Sequence, residues 1–146
     1  GNRLATGHQN GKVRVWSLDT GALEATLRGH HSIAFSLACL DGCVVSGSYD
    51  TTVKVWLEGG VVDCVGHSDG VMCVAVSPSG TVVSCGGEED RTVRVWQPST
   101  GACLRTLVGH EADVFCVAVC DDGTIVSASG DQTVRMWDAE AGVCIE

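Results

Sequence analysis

Four tryptophans recur along this 146-residue chain at an almost constant interval. Successive members of the set are 40, 40 and 41 residues apart, and they are Trp16, Trp56, Trp96 and Trp137. Each one closes a short phrase in which apolar and basic residues alternate, as in Val93-Arg94-Val95-Trp96. Alternation with period two is typical of a β-strand that buries one face. A repeat near forty residues predicts a series of similar β-units that pack side by side.

Two further phrases recur between the tryptophans and complete the unit. Gly-His appears three times, at Gly29-His30, Gly66-His67 and Gly109-His110. An apolar run that ends in small residues follows each, at 44–48, 82–86 and 125–129, and an Asp or Asn then opens a turn into the Trp strand. A last strand follows after polar and glycine residues. We name the four predicted antiparallel strands of a unit a, b, c and d, starting after Gly-His, and we predict no helix.

These phrases resemble the WD40 family of β-propellers, and the resemblance covers the whole chain. The literal Trp-Asp pair occurs once, at Trp137-Asp138. The resemblance implies an all-β, WD40-type β-propeller built of four-stranded antiparallel blades. We expect one propeller segment, 1–146, with fifteen strands. Three complete blades are predicted at 29–65, 66–108 and 109–146, and a partial blade at 1–28 holds strands b, c and d but lacks its inner strand.

The resemblance also implies a structural tetrad in each blade. A buried indole N–H needs an acceptor, a hydroxyl can accept from it and donate to imidazole, and imidazole can donate to a carboxylate. The predicted tetrads are His30, Ser46, Asp50 and Trp56; His67, Ser84, Asp90 and Trp96; and His110, Ser127, Asp131 and Trp137. The first unit supplies Thr6, Asn10 and Trp16, and we expect its histidine to precede residue 1. The step from Ser84 to Asp90 is two residues longer than its counterparts.

Ser, His and Asp together also make up a catalytic triad. An enzyme needs its triad once, whereas this trio recurs every forty residues, which favours a structural role. The sequence has no G-x-x-x-x-G-K-S/T phosphate loop, no nucleophile elbow and no metal-ligand cluster. We therefore predict that the chain is not an enzyme and has no catalytic residue, no cofactor and no metal.

The top face of the resembled propellers, where the d–a and b–c loops emerge, is where their partners usually bind. Carried over by position, the predicted partner-binding residues are Phe35, Tyr49, Met72, Glu89, Glu111, Asp113 and Phe115. An alternative is that Phe35, Met72 and Phe115 belong to the strand-a core.

Charge narrows the choice of partner. The net charge of −9 argues against nucleic-acid binding, because phosphates need clustered Lys and Arg. The acidic residues of the predicted binding face, which we call the acidic rim, favour a protein or peptide partner that is basic. The alternative is that the charge only keeps the protein soluble. We find no secretion signal and no apolar run of membrane-spanning length, so we expect no membrane partner. The expected location is intracellular and cytoplasmic, with the nucleus left open.

The nine cysteines predict no disulfide framework. Their number is odd and no Cys-x-x-Cys pair occurs, so the sequence supports neither a secreted scaffold nor a zinc ribbon. Cys116 and Cys120 are expected on one face of a strand. We interpret the cysteines as small buried hydrophobes in a reducing compartment.

The sequence thus predicts a non-enzymatic protein–protein interaction scaffold, a WD40 platform that binds peptide or protein partners on its top face. One alternative is a regulatory WD40 segment of a larger multidomain signalling enzyme. Another is a substrate receptor of a ubiquitin ligase, although the Trp-Asp-x-Arg signature of that role is absent at Trp137-Asp138-Ala139-Glu140. Propellers of this family usually have about seven blades. We expect the remaining blades to come from a longer chain or from a second copy, with closure of four blades as the third alternative.

Overall fold

The computed structural model describes residues 2–40 and 42–146, and their regular secondary structure is entirely β. The strands are β1 Arg3–Gly7, β2 Val13–Ser17, β3 Leu23–Leu27, β4 Ala34–Leu40, β5 Cys43–Ser48, β6 Thr52–Leu57, β7 Gly60–Val65, β8 Val71–Val76, β9 Val82–Gly86, β10 Val93–Trp96, β11 Cys103–Leu107, β12 Val114–Val119, β13 Ile125–Ser129, β14 Val134–Asp138 and β15 Val143–Cys144. In this part of the chain no helix could cross a membrane.

The fifteen strands form four antiparallel sheets that follow one another along the chain. Sheet I holds β1–β3, sheet II β4–β7, sheet III β8–β11 and sheet IV β12–β15. Every sheet pairs its strands in chain order, with each strand beside the next. This confirms the predicted fold of three complete blades and one that lacks its inner strand. Gly1, the first residue of the predicted partial blade, lies outside the described residues.

The turn from strand b to strand c has the same backbone in all four sheets. The residue after the turn Asp or Asn has a positive φ, which is 70° at Thr51, 56° at Arg91, 68° at Gln132 and 73° at Gly11. Three non-glycine residues therefore adopt a conformation that costs about 1–2 kcal/mol. The cost is tolerated because the preceding Asp is held by hydrogen bonds described below.

The hydrophobic core consists of three layers, one between each pair of consecutive sheets. Trp56 of sheet II packs with Val13 of sheet I, Trp96 of sheet III packs with Val53 of sheet II, and Trp137 of sheet IV packs with Val93 of sheet III. Each tryptophan thus faces the sheet before its own. Sheets with one apolar face toward each neighbour make a radial array possible.

The two ends of the array expose apolar side chains that are buried at the equivalent positions elsewhere. Val13, Val53 and Val93 are each 0% exposed, whereas Val134 at the same position of sheet IV is 65% exposed. At the other end, Leu4 opposite Trp16 is 48% exposed. Its counterparts Val44, Val82 and Ile125 are 9% exposed or less. Within the described residues, the four sheets form an open segment of a propeller.

The prediction that the cysteines are small buried hydrophobes is wrong for most of them. Cys64 and Cys85 are buried, Cys43 and Cys73 are partly buried, and five are exposed, namely Cys39, Cys103, Cys116, Cys120 and Cys144. The exposed ones lie on inner or outer strands and at hairpin ends, where a sheet meets solvent. Strand β12 also ends at Val119, so Cys120 lies outside the strand that was expected to contain it.

We predict that Gly47 cannot be enlarged. A Cβ at this position would lie 2.6 Å from Val71 Cγ1 and 2.9 Å from Val74 Cγ1, in the layer between sheets II and III. We expect Gly47→Ala to lower the free energy of unfolding by about 1–3 kcal/mol through overpacking. Gly59→Ala is the matched control, since a Cβ there has no neighbour within 4 Å. Urea unfolding of the two variants checks this, and equal midpoints would contradict it.

Candidate functional site

The predicted tetrad residues of sheets II, III and IV lie in three continuous hydrogen-bonded chains. In sheet II, the indole Nε1 of Trp56 donates to Ser46 Oγ at 2.8 Å, and Ser46 Oγ lies 2.7 Å from His30 Nε2. His30 Nδ1 lies 2.9 Å from Asp50 Oδ2. The corresponding three distances are 2.7, 2.7 and 2.8 Å in sheet III and 2.8, 2.7 and 2.8 Å in sheet IV. The longer loop before Asp90 therefore leaves this geometry unchanged.

Strands b and c position two members of each tetrad by their register. Ser46 pairs with Lys54 across β5 and β6, so the tryptophan two residues further along β6 projects from the same face. The histidine arrives from the loop before the inner strand. Its ring meets the indole edge-on, with the centroids of His30 and Trp56 6.0 Å apart. The three histidine side chains are 0–1% exposed.

The turn aspartate connects two loops at the same end of each sheet. Asp50 Oδ2 accepts from the backbone N–H of His31 at 2.8 Å, and Asp50 Oδ1 accepts from the Thr52 hydroxyl at 2.6 Å. Asp131 repeats this arrangement with Glu111 and Thr133. Asp90 repeats it with Ser68 and Thr92. The d–a loop and the b–c turn are thus held together by one carboxylate per blade.

Hydrogen bonds lower the pKa of the turn carboxylates, and burial lowers the pKa of His30. Burial alone would raise the pKa of Asp50, but bonds from Thr52, His31 and His30 lower it to about 2. The Thr133 hydroxyl is the largest cause that lowers the pKa of Asp131. Burial lowers the pKa of His30, against the opposing effect of Asp50. A neutral His30 that donates from Nδ1 accepts at Nε2, so the Ser46 hydroxyl donates to it.

Sheet I has a shorter version of the same chain. The Trp16 indole donates to Thr6 Oγ1 at 3.0 Å, and Thr6 Oγ1 lies 3.0 Å from His8 Nε2. Asn10 uses its side-chain oxygen to accept from the Lys12 N–H at 3.3 Å. Sequence reasoning missed His8, which follows Thr6 by two residues and lies just beyond the end of β1. It also missed Thr52, Thr92 and Thr133, which the repeated Asp-x-Thr spacing could have indicated.

The tetrad side chains are buried and hydrogen-bonded to one another. The three serine residues of the tetrads are at most 1% exposed, and each Oγ contacts both an indole and an imidazole. Among the described residues, no three His, Cys, Asp or Glu side chains are grouped so that they could hold a metal ion.

The predicted partner-binding aromatics lie at the end of the sheets where the d–a loops and b–c turns meet. We call this end the top face. Phe35 and Tyr49 are 52% and 46% exposed, and their rings meet edge-to-face with centroids 5.6 Å apart. Tyr49 lies beside Gly70 of the next sheet, where a Cβ would come within 3.1 Å of its ring. Phe115, also 52% exposed, lies beside Gly130 on the b–c turn of its own sheet, where a Cβ would come within 3.3 Å of the ring.

The remaining predicted residues divide into a rim and a partly buried group. Glu89 and Glu111 are exposed, and Glu89 N–H donates to Asp69 Oδ2 at 3.1 Å. Asp113 is partly buried, and its carbonyl accepts from Gly130 N–H at 2.9 Å. Met72 is partly buried and packs against the layer between sheets III and IV. The structure therefore brings Phe35 and Tyr49 together, while Met72 contributes to the core.

The chain belongs to the WD40 family. The family model described as "WD domain, G-beta repeat" matches residues 21–56, 61–97 and 101–138. These three matches cover most of the chain, and each ends at or just beyond a tryptophan of strand c. Domains of this family are in general non-catalytic.

Several curated proteins are similar to the chain. A mitochondrial division protein 1 of Schizosaccharomyces pombe is 33% identical across 71% of the chain and 19% of its own length. A nuclear distribution protein PAC1-2 of Uncinocarpus reesii is 29% identical across all of the chain and 38% of its own length. A WD repeat and SOCS box-containing protein 1 of Danio rerio is 36% identical across 64% of the chain and 23% of its own length. The chain thus spans less than two fifths of each relative.

We predict that the cost of removing a tetrad hydroxyl depends on its burial. Ser127→Ala leaves the Trp137 N–H, in a residue that is 1% exposed, without its acceptor. We expect a loss of about 1–3 kcal/mol in the free energy of unfolding. Thr6→Ala is the matched variant in sheet I. Trp16 there is only partly buried, so water can replace the hydroxyl and the loss should be smaller. Equal losses in urea unfolding would contradict this interpretation.

Proposed function

We propose that this protein is a non-enzymatic interaction scaffold that binds a basic peptide or protein segment on its top face. The observation that carries the proposal is a difference between the tetrad side chains inside the blades and the aromatic side chains on the top face. The tetrads satisfy their hydrogen bonds internally, whereas the top face leaves Phe35, Tyr49 and Phe115 about half exposed above them. Exposed aromatics on a rigid support are good anchors for a partner.

Electrostatics supports a basic partner. Glu88, Glu89 and Glu111 are exposed on the loops of this end, and Asp69 and Asp113 stand beside them. Arg91 is the nearby opposite charge on the b–c turn of sheet III, and its Nε donates to the Glu88 carbonyl at 2.6 Å. The chain as a whole carries eighteen acidic residues against nine Lys and Arg. Such a field attracts cationic segments and repels phosphate backbones. The nine free thiols support a reducing, intracellular location.

A selected peptide tests the top face. A Lys/Arg-rich peptide isolated against the wild-type protein should lose at least about tenfold in affinity on Phe35→Ala or Tyr49→Ala. Its affinity should also fall when salt rises from about 50 to about 300 mM, because the rim charges are exposed. Leu104→Ala is the matched control, since Leu104 is 41% exposed on outer strand β11. Fluorescence anisotropy measures the affinities. An affinity that changes neither with the aromatic substitutions nor with the salt concentration would contradict the proposal.

The two ends of the array support a second part of the proposal, that further β-sheets cover them. Val134, Val143 and Ile145 in or beside sheet IV are 54–65% exposed, and Leu4 and Leu23 of sheet I are 47–48% exposed. Surfaces of this kind on a repeat protein are normally covered by a neighbouring repeat. The sheets that cover them would come from the rest of a longer polypeptide or from a second copy.

The solution mass of the 146-residue chain tests this part. We expect association that increases with concentration, and a clean dimer near twice 15.2 kDa would identify a second copy as the cover. Val134→Lys should weaken the association, because it places a charge on the exposed end of sheet IV. Val65→Lys is the control, since Val65 is 67% exposed on outer strand β7. Light scattering that gives a monomer at all concentrations would exclude a second copy as the cover and favour the rest of a longer polypeptide.

A further inference from the structure

One position of the inner strand reaches across to the next sheet. This position is occupied by Ser36 in β4, Cys73 in β8 and Cys116 in β12, two residues after Ala34, Val71 and Val114. Ser36 Oγ accepts from the backbone N–H of Val74 at 3.0 Å and so links sheet II to sheet III. Cys73 Sγ lies 3.7 Å from the carbonyl oxygen of Val117 and so reaches from sheet III to sheet IV.

Two thiols approach the same carbonyl oxygen where sheets III and IV pack together, and we call such a boundary between two sheets a seam. Cys116 Sγ lies 3.9 Å from the same Val117 oxygen that Cys73 Sγ approaches. Burial raises the pKa of Cys116, and the neighbouring Cys73 raises it further through its charge and a hydrogen bond. Both cysteines are free, Cys73 is partly buried, and Cys116 is exposed to solvent.

We propose that Cys73 and Cys116 form a reversible redox site, in which a hydroperoxide joins sheets III and IV through a disulfide. The cross-link would connect the inner strands β8 and β12, which already pack against one another. It would close a loop of 43 residues, which restricts the unfolded chain. Reduction by a thiol restores the two free cysteines.

The reaction is balanced with the peroxide as oxidant. The Cys116 thiolate attacks one peroxide oxygen, the O–O bond breaks, and a sulfenic acid and hydroxide form. The Cys73 thiolate then attacks the sulfur of the sulfenic acid, the S–S bond forms, and hydroxide leaves. Two thiol protons neutralise the two hydroxides, so two thiols and one hydrogen peroxide give one disulfide and two waters. Since the pKa of Cys116 is raised, the rate should increase from neutral to alkaline pH.

Cys85 is the competing partner for Cys73. The two residues pair in register across β8 and β9, so their side chains project from one face of sheet III. Cys85, however, is 0% exposed, and its thiol donates to the Val114 carbonyl at 3.0 Å. Burial also raises its pKa strongly. A peroxide therefore reaches Cys116 first, and Cys73 is the thiol that resolves the sulfenic acid.

The test uses the full chain with the other exposed cysteines replaced, that is C39S, C103S, C120S and C144S. This protein is treated with hydrogen peroxide at about pH 8.5, its remaining thiols are alkylated, and it is digested with trypsin without reduction. We expect a cross-link between the peptides 55–91 and 106–135. Peptide 55–91 also holds Cys64 and Cys85, so tandem mass spectrometry must place the bond at Cys73. We expect the oxidised protein to melt roughly 5–15 °C higher, and dithiothreitol to reverse the shift.

Four variants of that protein discriminate between the outcomes. Cys116→Ser and Cys73→Ser should each abolish the cross-link and the shift in melting temperature, whereas Cys85→Ala should keep both. Cys116→Ala serves as a second replacement at the exposed position, and circular dichroism verifies that each variant is folded. A bond between Cys73 and Cys85 would overturn the proposal. So would oxidation of Cys116 to sulfinic acid without a cross-link.

Discussion

The hydrogen bond from each strand-c indole to a strand-b hydroxyl is the interaction on which the rest of the structure depends. The indole ring fills the layer toward the preceding sheet, where Trp96 and Trp137 are at most 1% exposed. An indole that is buried this deeply needs a buried hydrogen-bond acceptor for its N–H. Ser84 and Ser127 supply that acceptor, and each hydroxyl is also hydrogen-bonded to a histidine, which in turn is bonded to an aspartate. Packing between sheets and polar order within each sheet are therefore set by the same residue.

The aspartate at the other end of each series of hydrogen bonds holds in place the loops of the top face, where we propose that a partner binds. Asp50 receives the backbone N–H of His31, next to the loop that leads to Phe35, and its own turn carries Tyr49. The two aromatics meet edge-to-face because both loops are fixed to one carboxylate. The proposed binding residues Phe35 and Tyr49 can then vary without loss of the fold, since the Asp50 carboxylate that holds their loops lies beneath them. This separation is typical of a platform whose partners differ while its scaffold is kept.

Much of this could be predicted from the sequence, because the period of the tryptophans and the Gly-His dipeptides report local geometry. Ser46, Asp50 and their equivalents are predicted from the resemblance to the WD40 family, at the positions that match its motif. Other features lie outside the four-residue pattern that the resemblance implies. His8 bonds to Thr6 from just beyond the end of β1, and Thr52 bonds to Asp50 across the turn, although its Asp-x-Thr spacing recurs in the sequence. The exposure of five cysteines depends on which edge of a sheet meets solvent, and sequence hydrophobicity does not reveal that.

The seams between sheets show how a repeated backbone can carry different chemistry. Ser36, Cys73 and Cys116 occupy one position of three successive inner strands, and Ser36 and Cys73 each reach the following sheet. A hydroxyl at this position accepts a backbone N–H of the next sheet and gives a permanent link. A thiol is a weak hydrogen-bond former, so it holds the next sheet less firmly, but it can form a disulfide with a second thiol when a peroxide takes up the two electrons. Two consecutive thiols therefore convert a fixed contact into one that responds to oxidant, and they do so only where both neighbouring sheets carry the cysteine. The seam between sheets II and III, which has Ser36 on one side, lacks that response.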